Sequence, residues 1–508
     1  MSELTITTAS HFFKLTKITP RARVAVESFA RKYIQFGFQR QGRQYIRAAL
    51  KVFAMSNNDR DEYRFHINTL IAFEQHLAAN YIKEDMITRF KLPIPIPTKV
   101  KFKIRPEWTD RDYQIPVINY LTDNGPPVSK FVDLQTGKGK SYVSMRAMEK
   151  IGFRTIIIVK PMYLEKWIAD MNRTFDLEPE DILVIRGSSQ LMAMLLLAEI
   201  GELHSKIILI SNKTMQNWLK TYEKFMYESI GMGYACVPED LCAFTGTGIV
   251  LVDEAHQDFH LGYKIKMVTN VYRSISLSAT LLSDDDFMNK MYEIVYPAAL
   301  RYKGPAYDKY VAATSVIYKL QFPNKMRCKD GVSKNYSHHL FEQSILRSNT
   351  LASNYMGLIK EVFEGSYLKN YKKGQRCLIF CISIELCTVL TDYLRKTYRH
   401  LDVRRYVEED PFENILEADV TVSTMQSAGT AVDIENLTTV IMTTAMSSSQ
   451  GNIQGLGRLR VLKDGTTPEF LYFVCEDINS HIKYHEKKRL ILENRALRYR
   501  SVFINKPI

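Results

Sequence analysis

The sequence predicts an α/β protein: two successive domains, each built on a parallel sheet, behind a small mixed α+β segment. Three observations carry this expectation. Short β-branched apolar runs alternate with helical stretches from about residue 100 onward. The alternation restarts near residues 301–318. A proline-spaced stretch, KLPIPIPTKVKFKIRPEW (91–108), sets the first ninety residues apart. Strands covered by helices on both faces read in this alternating way, and 508 residues suffice for two to four domains. The expected boundaries are 1–95, 96–305 and 306–508.

In chain order, ALKVFAM and EYRFHI read as strands around the polar turn SNNDRDE, and TLIAFEQHLAANYI as a helix. Pro93, Pro95 and Pro97 occupy every second position, which excludes helix and a paired central strand, so residues 92–98 read as an extended linker. RTIIIVK, SKIILIS, TGIVLVDE and SISLSAT are the strands of the first sheet. LMAMLLLAEIG, from Leu191, reads as a buried helix. After RYKGPAYDKYVAATSVIYKL come RCLIFCI, DVTVST, TTVIMTTA and EFLYFV, the strands of the second sheet. The closing segment YHEKKRLILENRALRYRSVFINKPI reads as a basic amphipathic helix.

Composition narrows the function. No stretch approaches ~18 uncharged apolar residues, so no membrane span is expected. The start MSELTITTASHFFKL lacks the plan of a secretory signal. The seven cysteines form no C-x-x-C pair, which suits neither a disulfide framework nor a zinc site; Cys377 and Cys381 lie in an apolar run as core residues. A reduced, cytoplasmic protein follows. The net charge of +13 is uneven: nine Lys/Arg against two Asp/Glu in the first 50 residues, eight against two in residues 480–508. Basic ends of this kind suit a polyanionic partner.

Two stretches carry chemistry. DLQTGKGKSYVSMRAME (133–149) places Thr136, Gly137, Lys138, Gly139, Lys140 and Ser141 between a strand and a helix. The glycines let backbone N–H groups approach an anion, Lys140 supplies charge for outer phosphates, and the Ser141 hydroxyl suits Mg²⁺. The helix start adds its own positive end. The full phosphate-loop pattern has glycine where this chain has Leu134. In LVDEAHQD, Asp253 and Glu254 stand at the carboxyl end of a buried run. Asp253 suits the Mg²⁺ that Ser141 also binds, Glu254 suits a water to be activated, and His256 could hydrogen-bond across the site.

In order, these pieces resemble superfamily 2 helicases. Asp253-Glu254-Ala255-His256 spells the DEAH form of the second helicase motif. WTDRDYQ (108–114) resembles the adenine-recognition element, which implies that role for Gln114 with Arg111 beside it. IIIVKPMYLEKW, with Lys160 and Pro161, and IILISNKTMQNW, with Ser211 and Asn212, resemble elements that touch the nucleic-acid backbone. Ser278-Ala279-Thr280 resembles the motif coupling hydrolysis to movement, and RCLIFCISIELC resembles motif IV. TVSTMQSAGTAVDIENLTTVI resembles motif V, with Thr424, Gly429 and Asp433 at its key positions. QGLGRLR resembles motif VI, whose arginines usually lie three apart; here they are Arg458 and Arg460.

The resemblance spans about residues 105–475 and implies two tandem RecA-like P-loop domains, ATP and Mg²⁺ as cofactors, and ATP hydrolysis. Gln454, Arg458 and Arg460 are then expected from the second domain, with Arg458, which follows Gly457, as the arginine stabilising the transferred phosphoryl group. The pattern is most similar to phage UvsW-type branch-migration DNA helicases. That implies a monomer acting on branched or duplex DNA in replication or recombination. Arg40, Arg43 and Arg47 among aromatics mark the first domain as a further DNA contact. A double-strand translocase, an RNA helicase, and a nucleic-acid-binding protein with a vestigial ATPase stay open as alternatives.

Overall fold

The computed structural model describes residues 2–41, 44–57, 59–125, 128–135, 137–224, 233–278, 281, 283–304, 308–331, 335–428, 433–505 and 507–508. It divides into two compact units. One holds residues 1–281 and 285–305, the other residues 282–284 and 306–508.

The first unit opens with a small α+β domain. β1 (Leu4–Thr8), β2 (Phe12–Thr16), β3 (Ile34–Gln41), β4 (Gln44–Val52), β5 (Met55–Ser56), β6 (Tyr63–His66) and β7 (Ile87–Lys91) alternate with helices α1 (Pro20–Ala30) and α2 (Leu70–Ala79). Five of these strands form one sheet in the order β5-β6-β2-β1-β7, while β3 and β4 pair only with each other. The predicted helix is α2. The predicted strand ALKVFAM is split: β4 ends at Val52, Phe53 and Ala54 turn inward, and β5 follows. Residues 92–98 lie in no strand, as the alternating prolines require, but they do not hang free. The Pro93 carbonyl accepts from Asn270 Nδ2, and Thr98 N donates to the Gly246 carbonyl.

Seven strands among the described residues build the first large sheet: β8 (Ser129–Asp133), β9 (Thr155–Val159), β10 (Ile182–Ile185), β11 (Ile207–Ser211), β12 (Ile249–Val252), β13 (Arg273–Ser278) and β14 (Arg301–Lys303). All pairings are parallel, in the order β10-β11-β9-β12-β13-β8-β14. Runs such as Ile156–Val159 are buried on both faces, which is why they read as continuous apolar stretches. Helices cover them, among them α3 (Ile115–Thr122), α4 (Lys140–Ile151), α5 (Leu164–Thr174), α6 (Ser188–Glu199) and α7 (Asn212–Lys224). The predicted buried helix is α6, but only Leu191, Met194 and Leu195 are inside, and Leu196 and Leu197 face solvent.

One apolar core runs through both parts of this unit. Phe12, Phe13, Phe29, Phe53 and Phe65 of the small domain cluster with Phe131, Phe259, Tyr263, Tyr292 and Tyr296 of the α/β domain.

The second unit repeats the plan. β15 (Ala312–Tyr318), β16 (Arg376–Cys381), β17 (Val403–Tyr406), β18 (Val420–Thr424), β19 (Leu437–Met442), β20 (Glu469–Cys475) and β21 (Arg498–Phe503) are all parallel, ordered β17-β18-β16-β19-β20-β15-β21. Numbered from the first strand of each sheet, both run 3-4-2-5-6-1-7. The chain thus carries two tandem RecA-like domains of identical strand order and a small N-terminal domain.

The seventh strands close the two sheets. β14, at the start of the stretch 301–318 where the alternation was expected to restart, pairs with β8 and completes the first sheet, within the expected bounds 96–305. The closing segment was expected to be one helix; it is a helix only over Asn479–Arg495 and then returns as β21 beside β15. The described cysteines are free thiols, Cys377 and Cys381 buried in β16. Among the described residues no helix is long and apolar enough to cross a membrane.

Candidate nucleotide site

The site grows from the carboxyl ends of three neighbouring strands. β8 leads into the glycine-rich loop and α4, and β12 leads into the acid pair. β13 lies between them and ends at Ser278. Backbone bonds fasten the three exits: Leu134 N to the Ser278 carbonyl at 3.3 Å, and Ala255 N to the Leu277 carbonyl at 2.9 Å.

In the loop, Gly137 (φ +86°) and Gly139 (φ +79°) are left-handed, where a Cβ is costly. Gly139 sits at the start of α4, so the unpaired N–H groups of the first turn open toward the loop. A Cβ on Gly139 would also lie 2.7 Å from Gln114 Nε2. Leu134 needs no glycine: its side chain is buried, and its carbonyl receives Lys140 Nζ at 3.4 Å. Thr136 lies outside the described residues.

The 108–114 segment is pinned to α4. Asp110 accepts from Tyr142 OH (2.9 Å) and holds Arg146 with both oxygens (2.8 and 3.0 Å). That bidentate pair places Gln114 against the loop. Gln114 is buried, donates to the Lys138 carbonyl at 3.3 Å and accepts from Arg111 N at 3.1 Å. The exposed Arg111 side chain reaches Tyr113 OH.

The acid pair is strained, and its two carboxyls repel. Glu254 adopts φ +47°, a left-handed geometry that costs a non-glycine residue of order 1–3 kcal/mol and tends to mark functional sites. Burial and the adjacent Glu254 carboxylate push the Asp253 carboxyl above its ordinary pKa, while Lys166 and Lys140 oppose the shift. Asp253 Oδ2 accepts from Trp167 Nε1 at 3.0 Å. His256 Nδ1 lies 2.6 Å from Ser278 Oγ and 3.4 Å from Glu254 Oε2. Burial, aided by the charge of Lys140, lowers the His256 pKa to about 3, so the ring is neutral at pH 7. It links acid pair to middle strand without adding charge.

Three residues of α5 were not foreseen. Trp167, fully buried, holds Asp253. Asp170, one turn on, has a pKa raised by burial and by Asp253 and lowered by Lys166, Arg173 and the Ser141 hydroxyl it faces. Lys166 adds a positive charge near both acids. The only sequence signal was the three-residue spacing of Trp167 and Asp170 on a helix that follows a strand exit.

The expected nucleic-acid residues of this unit gather at the next strand exits. Lys160 Nζ (3.4 Å) and Asn212 Nδ2 (2.9 Å) both meet Asp258 Oδ2, and Pro161 is exposed. Ser211 is buried and starts α7, accepting from Thr214 N at 3.1 Å.

In the second unit, Gln454 lies on the helix Ser449–Leu456, half-buried, and Arg458 is buried just beyond it. Arg460 is brought to Asp433: Nε to Oδ1 is 3.3 Å, and Nη1 donates to the Leu459 carbonyl at 3.1 Å. Thr424 is buried and accepts from Ser427 N at 3.2 Å. Gly429, Ala279 and Thr280 lie outside the described residues. The first strand of this sheet, β15, exits into Lys319-Leu320-Gln321-Phe322-Pro323, without glycine.

No protein-family model matches the chain, and no curated protein matches it. Among solved structures it is similar to S. cerevisiae Dbp5 bound to RNA and ADP BeF3, at 12% identity and TM-score 0.48 over 77% of this chain and 89% of that one. It is similar to Mss116p (NTE and C-tail double deletion) bound to ssRNA and AMP-PNP, at 13% identity and TM-score 0.48 over 76% and 74%. It is also similar to the Pyrococcus furiosus Hef helicase domain, at 13% identity and TM-score 0.43 over 75% and 98%.

Proposed function

We propose that the chain is an ATP-dependent DNA helicase or translocase of superfamily 2, DEAH-type, acting on branched or duplex DNA in replication or recombination. One observation carries the reading. A left-handed glycine loop at a helix start and a strained acid pair leave one sheet edge, joined through Ser278 and a neutral His256. That is the equipment for holding a triphosphate and activating water.

In this reading the loop N–H groups and Lys140 bind the phosphates, and Gln114 with Arg111 recognises adenine. Ser141 and Asp253 would hold Mg²⁺; a hydroxyl and a carboxyl whose ionised form Lys166, Lys140 and the Trp167 N–H favour make an oxygen donor set that suits a hard cation. When bound, the cation would supply charge to offset that developing on the phosphates. Glu254 orients and deprotonates the attacking water, and His256 steadies Glu254. From the second unit, Arg458 stabilises the transferred phosphoryl group, with Gln454 beside it. The engagement of Arg460 with Asp433 and backbone carbonyls supports that choice.

Lys160, Pro161 and Asn212 are the proposed backbone contacts; Ser211 and Thr424 shape the helix starts beneath such contacts. The basic small domain is a further DNA contact. The phage UvsW-type branch remains part of this proposal, on the motifs alone.

ATPase stimulation across single-stranded, duplex and branched DNA and RNA tests the reading. Branched or duplex DNA should stimulate most. Lys140→Ala and Glu254→Gln should each cut turnover by about 10²-fold or more. Turnover indifferent to every nucleic acid, or unchanged in both variants, would refute it.

A further inference from the structure

We infer that the β3–β4 ribbon is a stacking surface for the bases of an unpaired nucleic-acid strand. The inference rests on the nucleic-acid reading above and names where unpaired bases are met.

The ribbon is an oddity of the fold. Its strands, of 8 and 9 residues, join no other strand among those described. At about 3.3 Å per residue it is roughly 25 Å long. An isolated two-stranded ribbon is marginal in water, so its root matters. There Lys51 Nζ meets Asp285 Oδ2 at 2.7 Å, and Gln35 Nε2 lies 3.3 Å from both Asp285 oxygens. His260 Nε2 is 2.7 Å from the Val52 carbonyl, and the next residue, Phe53, packs on Phe259 and Tyr263. His260 belongs to the helix that follows the acid pair, and Asp285 caps the helix that follows β13. The base is clamped to the domain that holds the nucleotide site.

Beyond the root the apolar side chains lose cover. Phe36 is 45% exposed and Phe38 74%. The register sets Phe38 opposite Arg47, whose guanidinium lies 5.0 Å from the Phe36 ring centre. Two rings and a cation thus share one face. On the opposite face Ile46 and Leu50, 41% and 52% exposed, are also bare. Such a surface invites a partner. Charge selects which: the sequence from Ile34 to Val52 carries Arg40, Arg43, Arg47 and Lys51 and no acidic residue; Lys51 is taken up by Asp285 at the root, and Arg43 lies outside the described residues. A cationic ribbon with bare aromatic rings suits a polyanion whose units have flat faces, and every base has one. A duplex hides those faces in its own stack. An unpaired strand offers them.

The test uses the full chain without nucleotide. Phe36→Ala with Phe38→Ala should weaken binding of a single-stranded oligonucleotide about tenfold or more. Binding of a blunt duplex should stay within about twofold, and the salt slope should not change. Arg47→Gln should instead lower the salt slope by about one. Phe38→Trp should keep single-strand binding and report it through quenched emission. Equal binding of the single strand by the double alanine variant and the wild type overturns the inference, as does equal loss on both substrates. A change confined to sedimentation would assign the face to a second copy of this chain and also overturn it. If the wild-type chain binds no nucleic acid, the functional reading falls with it. If the wild type binds and hydrolyses while the ribbon variant is indifferent, the ribbon alone falls.

Discussion

Trp167→Phe isolates a single hydrogen bond at the acid pair. The indole N–H lies 3.0 Å from Asp253 Oδ2, and the ring is fully buried. A hydrogen bond to a charged group contributes about 1.5–3 kcal/mol. That energy favours the carboxylate over the carboxylic acid, so its loss lets protons compete better with the cation; at about 1.4 kcal/mol per tenfold, the Mg²⁺ requirement on the acid limb should rise by up to roughly 10- to 150-fold. The sign in pH follows from the same bond. Burial and Glu254 already raise the Asp253 pKa, and the Trp167 donor holds it down. Removing the donor raises it further, so the carboxylate is lost at a higher pH as the solution is acidified. DNA-stimulated phosphate release, measured over Mg²⁺ concentration at several pH values, should show a higher Mg²⁺ requirement and an acid limb displaced toward neutrality. Trp218→Phe is the control: Trp218 is equally buried, but its N–H has no hydrogen-bond partner among the described residues. That variant should show only the cost of lost packing. Trp167→Phe and wild-type profiles that superimpose in both Mg²⁺ and pH would refute the reasoning.

Gly139→Ala meets a left-handed backbone and the Gln114 amide 2.7 Å from the new Cβ; about 1–2 kcal/mol of strain should lower Tm by a few degrees and raise the KM for ATP. Gln114→Ala should weaken discrimination of ATP from other nucleoside triphosphates, on the order of tenfold, as read by competition. Lys488, buried beside Met442 Sδ at 3.4 Å, has its pKa lowered by burial to about 7. Above pH 7 the folded lysine is neutral while the unfolded one still binds a proton up to its ordinary value near 10.5, so this group adds stability as pH rises through that window. In Lys488→Met, thermal unfolding at pH 7 and pH 9 should show that part of the rise removed and a higher Tm at pH 7.

The sequence made the central strands legible because burial on both faces leaves no room for polar alternation. RTIIIVK, TGIVLVDE and RCLIFCI therefore announce themselves. It hid the edges for the converse reason. β14 is partly exposed and only three residues long, and β21 carries Arg498 and Arg500 with most of its side chains in solvent. Both are seventh strands at one border of equivalent sheets, so one physical cause hid both. The duplication itself is a likeness of strand order, with no repeat visible in the residues. At the candidate site, the left-handed Gly137 and Gly139, Lys140 and the acid pair were readable because a phosphate cradle would restrict residue types over a short span. Trp167 and Asp170 were not, since they act across a helix packed beside β12, a proximity that only folding creates.

The common aromatic core of the first unit bears on how its opening segment can be studied. Phe53, Phe259, Tyr263 and Tyr292 keep water from one another across the border between the small domain and the sheet that follows. Excising the first ninety-odd residues would yield a wounded remnant with greasy rings laid open, prone to clumping. Its failure on any substrate would teach nothing about that segment's own task. Surgical changes on the ribbon are the informative route, and the leading segment is a keystone of the sheet domain rather than an accessory bolted to it.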